Sequence, residues 1–186
     1  EIGVRLVGSE MCIRDSNCVP LGLEEQDLCG IAEFARKNPV HVRFIEMMPI
    51  GDGNIPQSIS NEELKEKIMR YYGNLTEDFR IYGNGPAVYY SIERFKGNIG
   101  FISAIHGKFC NLCNRIRMTS TGDIKPCLCY EQRWALKPAL RMEHKEKRQE
   151  SIQKILIESI KNKPQMHCFE DVKSVSEKHF MGQIGG

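Results

Sequence analysis

The most constraining feature of the sequence is a group of four cysteines within twenty residues. Cys110 and Cys113 form a C-x2-C pair, Cys127 follows after thirteen residues, and Cys129 lies two positions further on. A C-x2-C turn brings both thiolates to one side, where they can share a metal ion or cluster. Thiolates are soft ligands that favour zinc or iron–sulfur clusters over hard cations. With no secretion signal, the pattern indicates a metal site rather than disulfides.

The cysteine spacing leaves the kind of metal open. With Cys129 as fourth ligand, the pattern fits a closed, tetrahedral, structural zinc site. With three cysteines, an iron–sulfur cluster would keep one iron open to another ligand. Arg115 and Arg117 follow the pair and project alike if the segment is extended. Guanidinium groups suit phosphate and purine acceptor atoms, so these neighbours indicate an anionic ligand beside the metal.

The first part of the chain has the pattern of an α/β unit. Helical spacing from Leu23 to Lys37 ends before Pro39, and residues 41–48 form a mostly apolar strand. A helix followed by a buried strand is typical of parallel sheets. The buried face of the helix is predicted to contain Leu28, Ile31, Ala32, Phe34 and Ala35.

The pattern then changes. Ser60 and Glu63 form a capping box that predicts a helix over residues 60–72. Short runs rich in Tyr, Ile and Phe, separated by glycines, predict an antiparallel meander over about residues 75–103. A charged helix is predicted over residues 141–162. Its apolar side is expected to consist of Ile152, Ile155, Leu156, Ser159 and Ile160.

Composition excludes some classes of function. The chain has 26 basic and 24 acidic residues, so no overall positive field indicates a nucleic-acid partner. Its apolar runs are far shorter than the roughly 18–20 residues that a bilayer span needs. At 186 residues and 41% apolar content, it can bury one core or two small ones. We therefore expect a cytoplasmic protein that binds neither membrane nor nucleic acid.

Several motifs occur in an order that is specific to one family. They are RFIEMMPIG from Arg43, GPA from Gly85, GNIGFIS from Gly97, FCNLCNRIRMT from Phe109, KPCL from Lys125 and the terminal Gly185–Gly186. Together they resemble the C-terminal half of the GTP 3′,8-cyclases, radical-SAM enzymes of molybdenum cofactor biosynthesis. The resemblance covers about residues 17–186.

The resemblance implies a fold and a division of the chain. The expected class is α/β, with the last strands and helix of a partial radical-SAM TIM-like barrel in residues 17–58. A mixed α+β C-terminal domain with an iron–sulfur site is expected in residues 59–186. Residues 1–16 do not match the family, and we expect them to be a foreign or artefactual segment.

The resemblance also implies a set of site residues. One [4Fe-4S] cluster would be held by Cys110, Cys113 and Cys127. GTP would be bound by Arg115, Ile116, Arg117 and Arg43, and S-adenosylmethionine would contact Met48. None of these residues is expected to be catalytic. No role is expected for the remaining cysteines, which are Cys12, Cys18, Cys29, Cys129 and Cys168.

The activity implied is that of the longer protein. Family members use two [4Fe-4S] clusters, S-adenosylmethionine and a reductant to convert GTP into 3′,8-cyclo-7,8-dihydro-GTP, and they are often homodimers. This sequence has no C-x3-C-x2-C motif for the cluster that generates the radical, so we expect the fragment alone to be inactive. Two alternatives stay open: a zinc-binding module with an anionic or RNA partner, and another radical-SAM enzyme with an auxiliary cluster.

Overall fold

The computed structural model of the chain describes residues 15–51, 58–83 and 85–184. Within them, packing divides the chain into two compact units. The first unit contains residues 15–47 and 58–107, and the second contains residues 48–51 and 108–184. None of the described helices is long and apolar enough to cross a membrane.

The first unit is a five-stranded sheet with two helices. Its elements, in chain order, are β1 (Asp15–Cys18), α1 (Leu28–Lys37), β2 (His41–Ile45), α2 (Asn61–Tyr72), β3 (Leu75–Asp78), β4 (Val88–Ile92) and β5 (Ile99–Ile102). The strand order is β1-β2-β5-β4-β3. Strands β1, β2 and β5 run parallel, whereas β5, β4 and β3 run antiparallel. The fold class is therefore mixed α/β with a mixed sheet.

The predicted meander is present, but it is not a separate sheet. Strand β5 pairs with β4 on one side and with β2 on the other, where Val42 lies beside Ile99 and Phe44 beside Phe101. The α/β part and the meander thus share one sheet. Sequence periodicity could not reveal this join, because the pattern within a strand does not identify its neighbours.

Both helices begin at the caps that their sequences provide. The Asp27 side chain accepts the Gly30 N–H, so α1 starts at Leu28 rather than at Leu23. The predicted capping box of α2 is confirmed, with Ser60 and Glu63 bonded to each other in both directions. These bonds satisfy N–H groups that have no partner within the helix.

The core of the first unit lies between the helices and the sheet. Phe44 and Phe101 stack with ring centroids 5.9 Å apart. Around them are Leu28, Ala32, Ala35, Val42, Leu64, Ile68, Ile92 and Ile99. The prediction that Phe34 belongs to this face is wrong, because its side chain is 49% exposed. Phe34 lies between the buried Ala32 and Ala35 in sequence, but the 100° turn per residue of a helix carries it towards water.

The second unit holds the cysteine motif and little regular structure. It contains β6 (Arg117–Met118), β7 (Asp123–Lys125), β8 (Trp134–Ala135), α3 (Lys137–Leu140) and α4 (Lys145–Lys161). The three short strands form an antiparallel sheet in the order β6-β7-β8. Single 3-10 turns lie at Cys110–Leu112, Val172–Ser174 and Met181–Gln183.

The predicted helix over residues 141–162 is present as α4, but it is shorter and more exposed. It begins at Lys145, and Ser159 is its fully buried residue. Ile160 is 55% exposed, which contradicts its predicted place on the apolar side. Ile152, Ile155 and Leu156 are half-buried, as expected for the edge of a small core.

Two expectations concern the chain ends. Asp15 and Ser16, which fall in the segment expected to be foreign, lie in β1 beside His41 and Val42 of β2. The rest of that segment, residues 1–14, and the terminal double glycine are outside the described residues. The expected origin of residues 1–16 and the expected division at residue 58 therefore stay predictions.

Candidate functional site

The C-x2-C pair lies on one 3-10 turn. The Leu112 N–H donates to the Phe109 carbonyl at 3.0 Å, and the Cys113 N–H donates to the Cys110 carbonyl at 3.1 Å. Both thiols are half-buried, while Leu112 between them is 86% exposed. The turn thus puts an apolar side chain towards water and keeps the two cysteines partly covered.

A hairpin brings the third cysteine to the same region. In β6 and β7, Arg117 pairs with Lys125, and the connecting turn passes through Gly122 at φ 91°. A left-handed turn position of this kind favours glycine. Arg115 precedes β6 by two residues, and Cys127 follows β7 by two residues. The thirteen-residue gap between Cys113 and Cys127 therefore contains the hairpin that brings them together.

The three thiols are close enough to affect one another electrostatically. The pKa of the Cys127 thiol is raised, first by burial and then by the charges of Cys110 and Cys113. The N–H of Cys129 and the charge of Lys125 act in the opposite direction. A bound metal or cluster would offset this repulsion. Coordination deprotonates the thiols, and the positive charge of the metal stabilises the resulting thiolates.

Two of the three sulfur atoms have a nitrogen donor. The His167 N–H donates to Cys110 Sγ at 3.4 Å, and Lys163 Nζ donates to Cys113 Sγ at 3.3 Å. Hydrogen bonds to sulfur tune iron–sulfur clusters and orient their ligands. Three half-buried thiols, two of which accept such bonds, fit the expected [4Fe-4S] cluster.

Lys163 is a site residue that sequence reasoning missed. Besides Cys113 Sγ, its ammonium group donates to the carbonyl oxygens of Cys113 at 2.7 Å and Arg115 at 2.8 Å. All three donors of the ammonium group are therefore used around the cysteine turn. No sequence pattern indicated this contact, since Lys163 lies 50 residues from Cys113 in the chain.

The structure contains no ready-made site for a single ion among the residues it describes. In that part of the chain, no three His, Cys, Asp or Glu side chains could hold one metal ion. Each cysteine of a [4Fe-4S] cluster binds a different iron, so its ligands are spaced more widely than those of one zinc ion. Cys129, the fourth ligand of the zinc alternative, is fully buried with its Sγ 2.9 Å from Cys168 Sγ.

The arginine motif follows the cysteine turn directly. Arg117 is half-buried, and burial lowers the pKa of its guanidinium, as does Arg115, while the Cys113 and Cys127 thiols raise it. An arginine stays charged despite such a shift. Arg115 is exposed and Ile116 is 40% exposed. The motif thus combines the half-buried charge of Arg117 near the thiols with the exposed charge of Arg115.

Arg43 lies in the middle of β2, and Met48 follows the strand in sequence. Arg43 belongs to the first unit, where Nη1 is 3.0 Å from Asp15 Oδ2 and Nε donates to Asn17 Oδ1 at 2.8 Å. Gly100 on β5 makes room for it, because a Cβ there would lie 3.0 Å from Arg43 Cγ. Met48 belongs to the second unit and is half-buried, with its carbonyl accepting the Ile50 N–H.

The first unit also contains a buried carboxylate, which lies just after the carboxyl end of β2. Glu46 follows β2 and accepts N–H groups from Asn61, Ile105 and His106. Burial raises the pKa of Glu46, but these bonds and the His106 ring outweigh it, so the net pKa is lowered. Glu46 therefore fixes the segments that follow β2 and β5, a role that its place in an apolar run did not indicate.

A buried ion network lies behind the hairpin in the second unit. Lys125 and Glu177 form an ion pair with both side chains fully buried, and Lys125 also donates to the Tyr130 carbonyl. Arg133 and His179 contact the other oxygen of Glu177 at 3.8 and 2.8 Å. This network ties β7, which leads to Cys127, to the segment approaching the C-terminal end of the chain.

Comparison with known proteins assigns the chain to one family. The family described as Molybdenum Cofactor Synthesis C matches residues 40–169. A GTP 3′,8-cyclase of Desulforamulus reducens is 39% identical over 169 residues, which are 89% of this chain and 50% of the relative. GTP 3′,8-cyclases of Clostridium perfringens and Syntrophomonas wolfei are each 39% identical, over 87% and 89% of this chain and 49% and 50% of their own.

The chain spans about half the length of the curated relatives it matches. The family match covers all the cysteines of the candidate centre, both arginines after them, Arg43 and Met48. The resemblance seen in the sequence is thereby confirmed. The chain belongs to the Molybdenum Cofactor Synthesis C family.

Proposed function

We propose that this chain provides the substrate-side cluster and GTP-binding part of a GTP 3′,8-cyclase. The observation that carries the proposal is the convergence of three thiols, two of them with a nitrogen donor, next to Arg115 and Arg117. The names of the relatives supply the substrate, GTP. The arrangement of residues supplies the chemistry that would hold it.

In this proposal Cys110, Cys113 and Cys127 hold a [4Fe-4S] cluster. When bound, a cluster with three protein thiolates offers its fourth iron as a Lewis acid for a nitrogen or oxygen atom of the substrate. The residues of the chain fix the three thiolates, cover them partly from water and offset their negative charge. Lys163, which bonds to Cys113 Sγ, and Arg117, which lies near Cys113 and Cys127, would supply positive charge for this purpose.

The arginines would bind the nucleotide. Arg115 and Arg117 would donate to the purine or phosphate oxygens, and the backbone at Ile116 between them would supply an N–H or carbonyl group. Arg43 would bind the triphosphate, whose charge would compete with that of Asp15 for the guanidinium. Met48 would contact S-adenosylmethionine, which is a further part of the same proposal.

The remaining parts of the reaction belong to the longer protein. In the proposed whole enzyme, β1, α1 and β2 are the last part of a barrel, and a second cluster with its reductant generates the radical from S-adenosylmethionine. The product would be 3′,8-cyclo-7,8-dihydro-GTP. Because the radical-generating motif is absent from this sequence, we expect GTP binding by the chain but no turnover.

Anaerobic reconstitution with iron and sulfide tests the proposal. We expect a brown protein with about four iron and four sulfide per chain, and loss of most of this iron in Cys113→Ser. Cys29→Ser is the matched control, since Cys29 is a buried cysteine of α1 in the first unit. One zinc per colourless chain would instead support the zinc-binding alternative.

GTP binding by the reconstituted chain tests the proposed role of the arginines in nucleotide binding. The affinity for GTP is expected to fall at least tenfold in Arg117→Met, because a buried charge–phosphate or charge–purine hydrogen bond is worth about 1.5–3 kcal/mol. Arg141→Met is the control and should bind as the parent does, since Arg141 is exposed at the end of α3 in the same unit. Equal loss in both variants would indicate a diffuse charge effect instead.

A further inference from the structure

Two thiols outside the proposed cluster site are in direct contact. Cys129 Sγ and Cys168 Sγ lie 2.9 Å apart, although 39 residues separate them in the chain. A disulfide bond is about 2.0 Å long, so the two sulfur atoms need to approach by less than about 1 Å to be bonded. Both residues lie in the second unit.

The backbone holds the pair from both sides. The Cys168 N–H donates to Cys129 Sγ at 3.2 Å, and Cys168 Sγ donates to the Ser174 carbonyl at 3.1 Å. The Cys129 carbonyl accepts the N–H groups of Ser176 and Glu177 at 3.2 and 3.3 Å. The two segments are thus fixed to each other beyond the thiols, and forming a bond would demand little rearrangement.

We propose that Cys129 and Cys168 form a reversible intrachain disulfide whose oxidant is a low-molecular-weight disulfide such as glutathione disulfide. Cys168 is half-buried and Cys129 is fully buried, so Cys168 is the thiol that the oxidant reaches. It attacks the oxidant, forms a mixed disulfide and releases one thiol. Cys129 then attacks the Cys168 sulfur and releases the second thiol.

The net exchange is balanced. Two protein thiols become one disulfide, one small-molecule disulfide becomes two thiols, and the two protein protons pass to the departing thiolates. The bond would link the segment just after Cys127 to the residue next to His167, whose N–H reaches Cys110 Sγ. It would therefore cross-link the two sides of the proposed cluster site without consuming a proposed ligand. This inference stands on the thiol contact alone and does not depend on the proposed function.

Peptide mapping in an anaerobic glutathione buffer tests the inference. After alkylation of the remaining thiols and digestion, we expect one linked pair that joins Cys129 to Cys168. Half of this pair should be oxidised at a ratio of oxidised to reduced glutathione at least tenfold lower than any pair that includes Cys110 or Cys113 would need. A tenfold ratio is 29.6 mV for a two-electron couple. The same linkage should disappear when the chain is unfolded in urea before oxidation.

Matched variants identify the sulfur atoms. Cys127 and Cys129 are two residues apart, so Cys129→Ala should abolish the link to Cys168 while Cys127→Ala should retain it. Cys168→Ser should also abolish the link, because it replaces the half-buried partner. This variant keeps the test valid if Cys129→Ala does not fold. A link that survives Cys129→Ala, that forms equally in urea, or that is absent from the folded parent would overturn the inference.

Discussion

Replacement of Glu177 by glutamine tests how the second unit is held together. Gln has nearly the same volume, but it leaves the Lys125 ammonium fully buried without its counter-charge and with the Tyr130 carbonyl as an acceptor. Removing one partner of a buried ion pair costs about 3–5 kcal/mol. We expect Glu177→Gln to lower the free energy of unfolding by about that amount.

The pKa of Glu177 gives a second value for the same quantity. Burial raises this pKa, but the ion pair with Lys125 and the bonds from His179 lower it from 4.5 to about 2. At 1.36 kcal/mol per pKa unit, the charged form is favoured in the fold by about 3 kcal/mol. The two values agree in size, and the pKa shift includes the bonds from His179 as well as the ion pair with Lys125.

The same shift fixes the pH dependence. Since the folded pKa is lowered, the contribution of Glu177 is complete above about pH 4.5, its unfolded pKa, and is lost as the pH falls towards about 2. The difference in unfolding free energy between the parent and Glu177→Gln should therefore be large at neutral pH. It should shrink towards zero as the pH falls through about 2, because the parent then carries a neutral carboxyl group at position 177, just as the variant carries a neutral amide.

Urea unfolding of the 186-residue chain measures these effects. Glu170→Gln is the control, since Glu170 forms a partly exposed ion pair with Lys108 at 2.6 Å in the same unit. Such surface pairs contribute about 0–1 kcal/mol. Lys125→Met should cost less than Glu177→Gln, because Glu177 keeps Arg133 and His179. A loss in Glu177→Gln no larger than in Glu170→Gln, or one independent of pH, would refute the reasoning.

Two further predictions concern the cluster site and the core. Lys163→Met removes a charge and a hydrogen bond from Cys113, so we expect a roughly tenfold lower ratio of reduced to oxidised cluster at a fixed potential, which is about 59 mV for one electron. Redox titration checks this, with exposed Lys161→Met as control; equal potentials would exclude the role of Lys163. Phe44→Ala should cost about 3–5 kcal/mol, since Phe44 is fully buried. Phe34→Ala should cost less than about 1 kcal/mol, and similar losses by urea unfolding would contradict the assigned helix face.

Local features of the fold were predictable from the sequence. The capping box of Ser60 and Glu63 needs only residues three apart, and the C-x2-C turn needs only residues 110–113. Such patterns contain all their own partners. The position of Cys127 was also accessible, because Gly122 marks the turn of the hairpin that returns the chain to the first two cysteines.

Features that depend on distant partners were not predictable. Lys125 meets Glu177 from 52 residues away, and Cys129 meets Cys168 from 39 residues away. Nothing in the pattern around Cys168 distinguishes it from an ordinary small buried residue. Helix α4 failed in another way, because a 17-residue helix that rests on a small core need not bury every apolar side chain, and Ile160 stays exposed.

Electron paramagnetic resonance of the reduced, reconstituted chain tests the central claim most directly. The account predicts a cluster signal that changes when GTP is added, changes little with ATP, and is lost in Cys113→Ser but not in Cys29→Ser. The change would report GTP at the iron that lacks a cysteine. A chain that forms no cluster, or a cluster signal that is identical with and without GTP, would contradict the account.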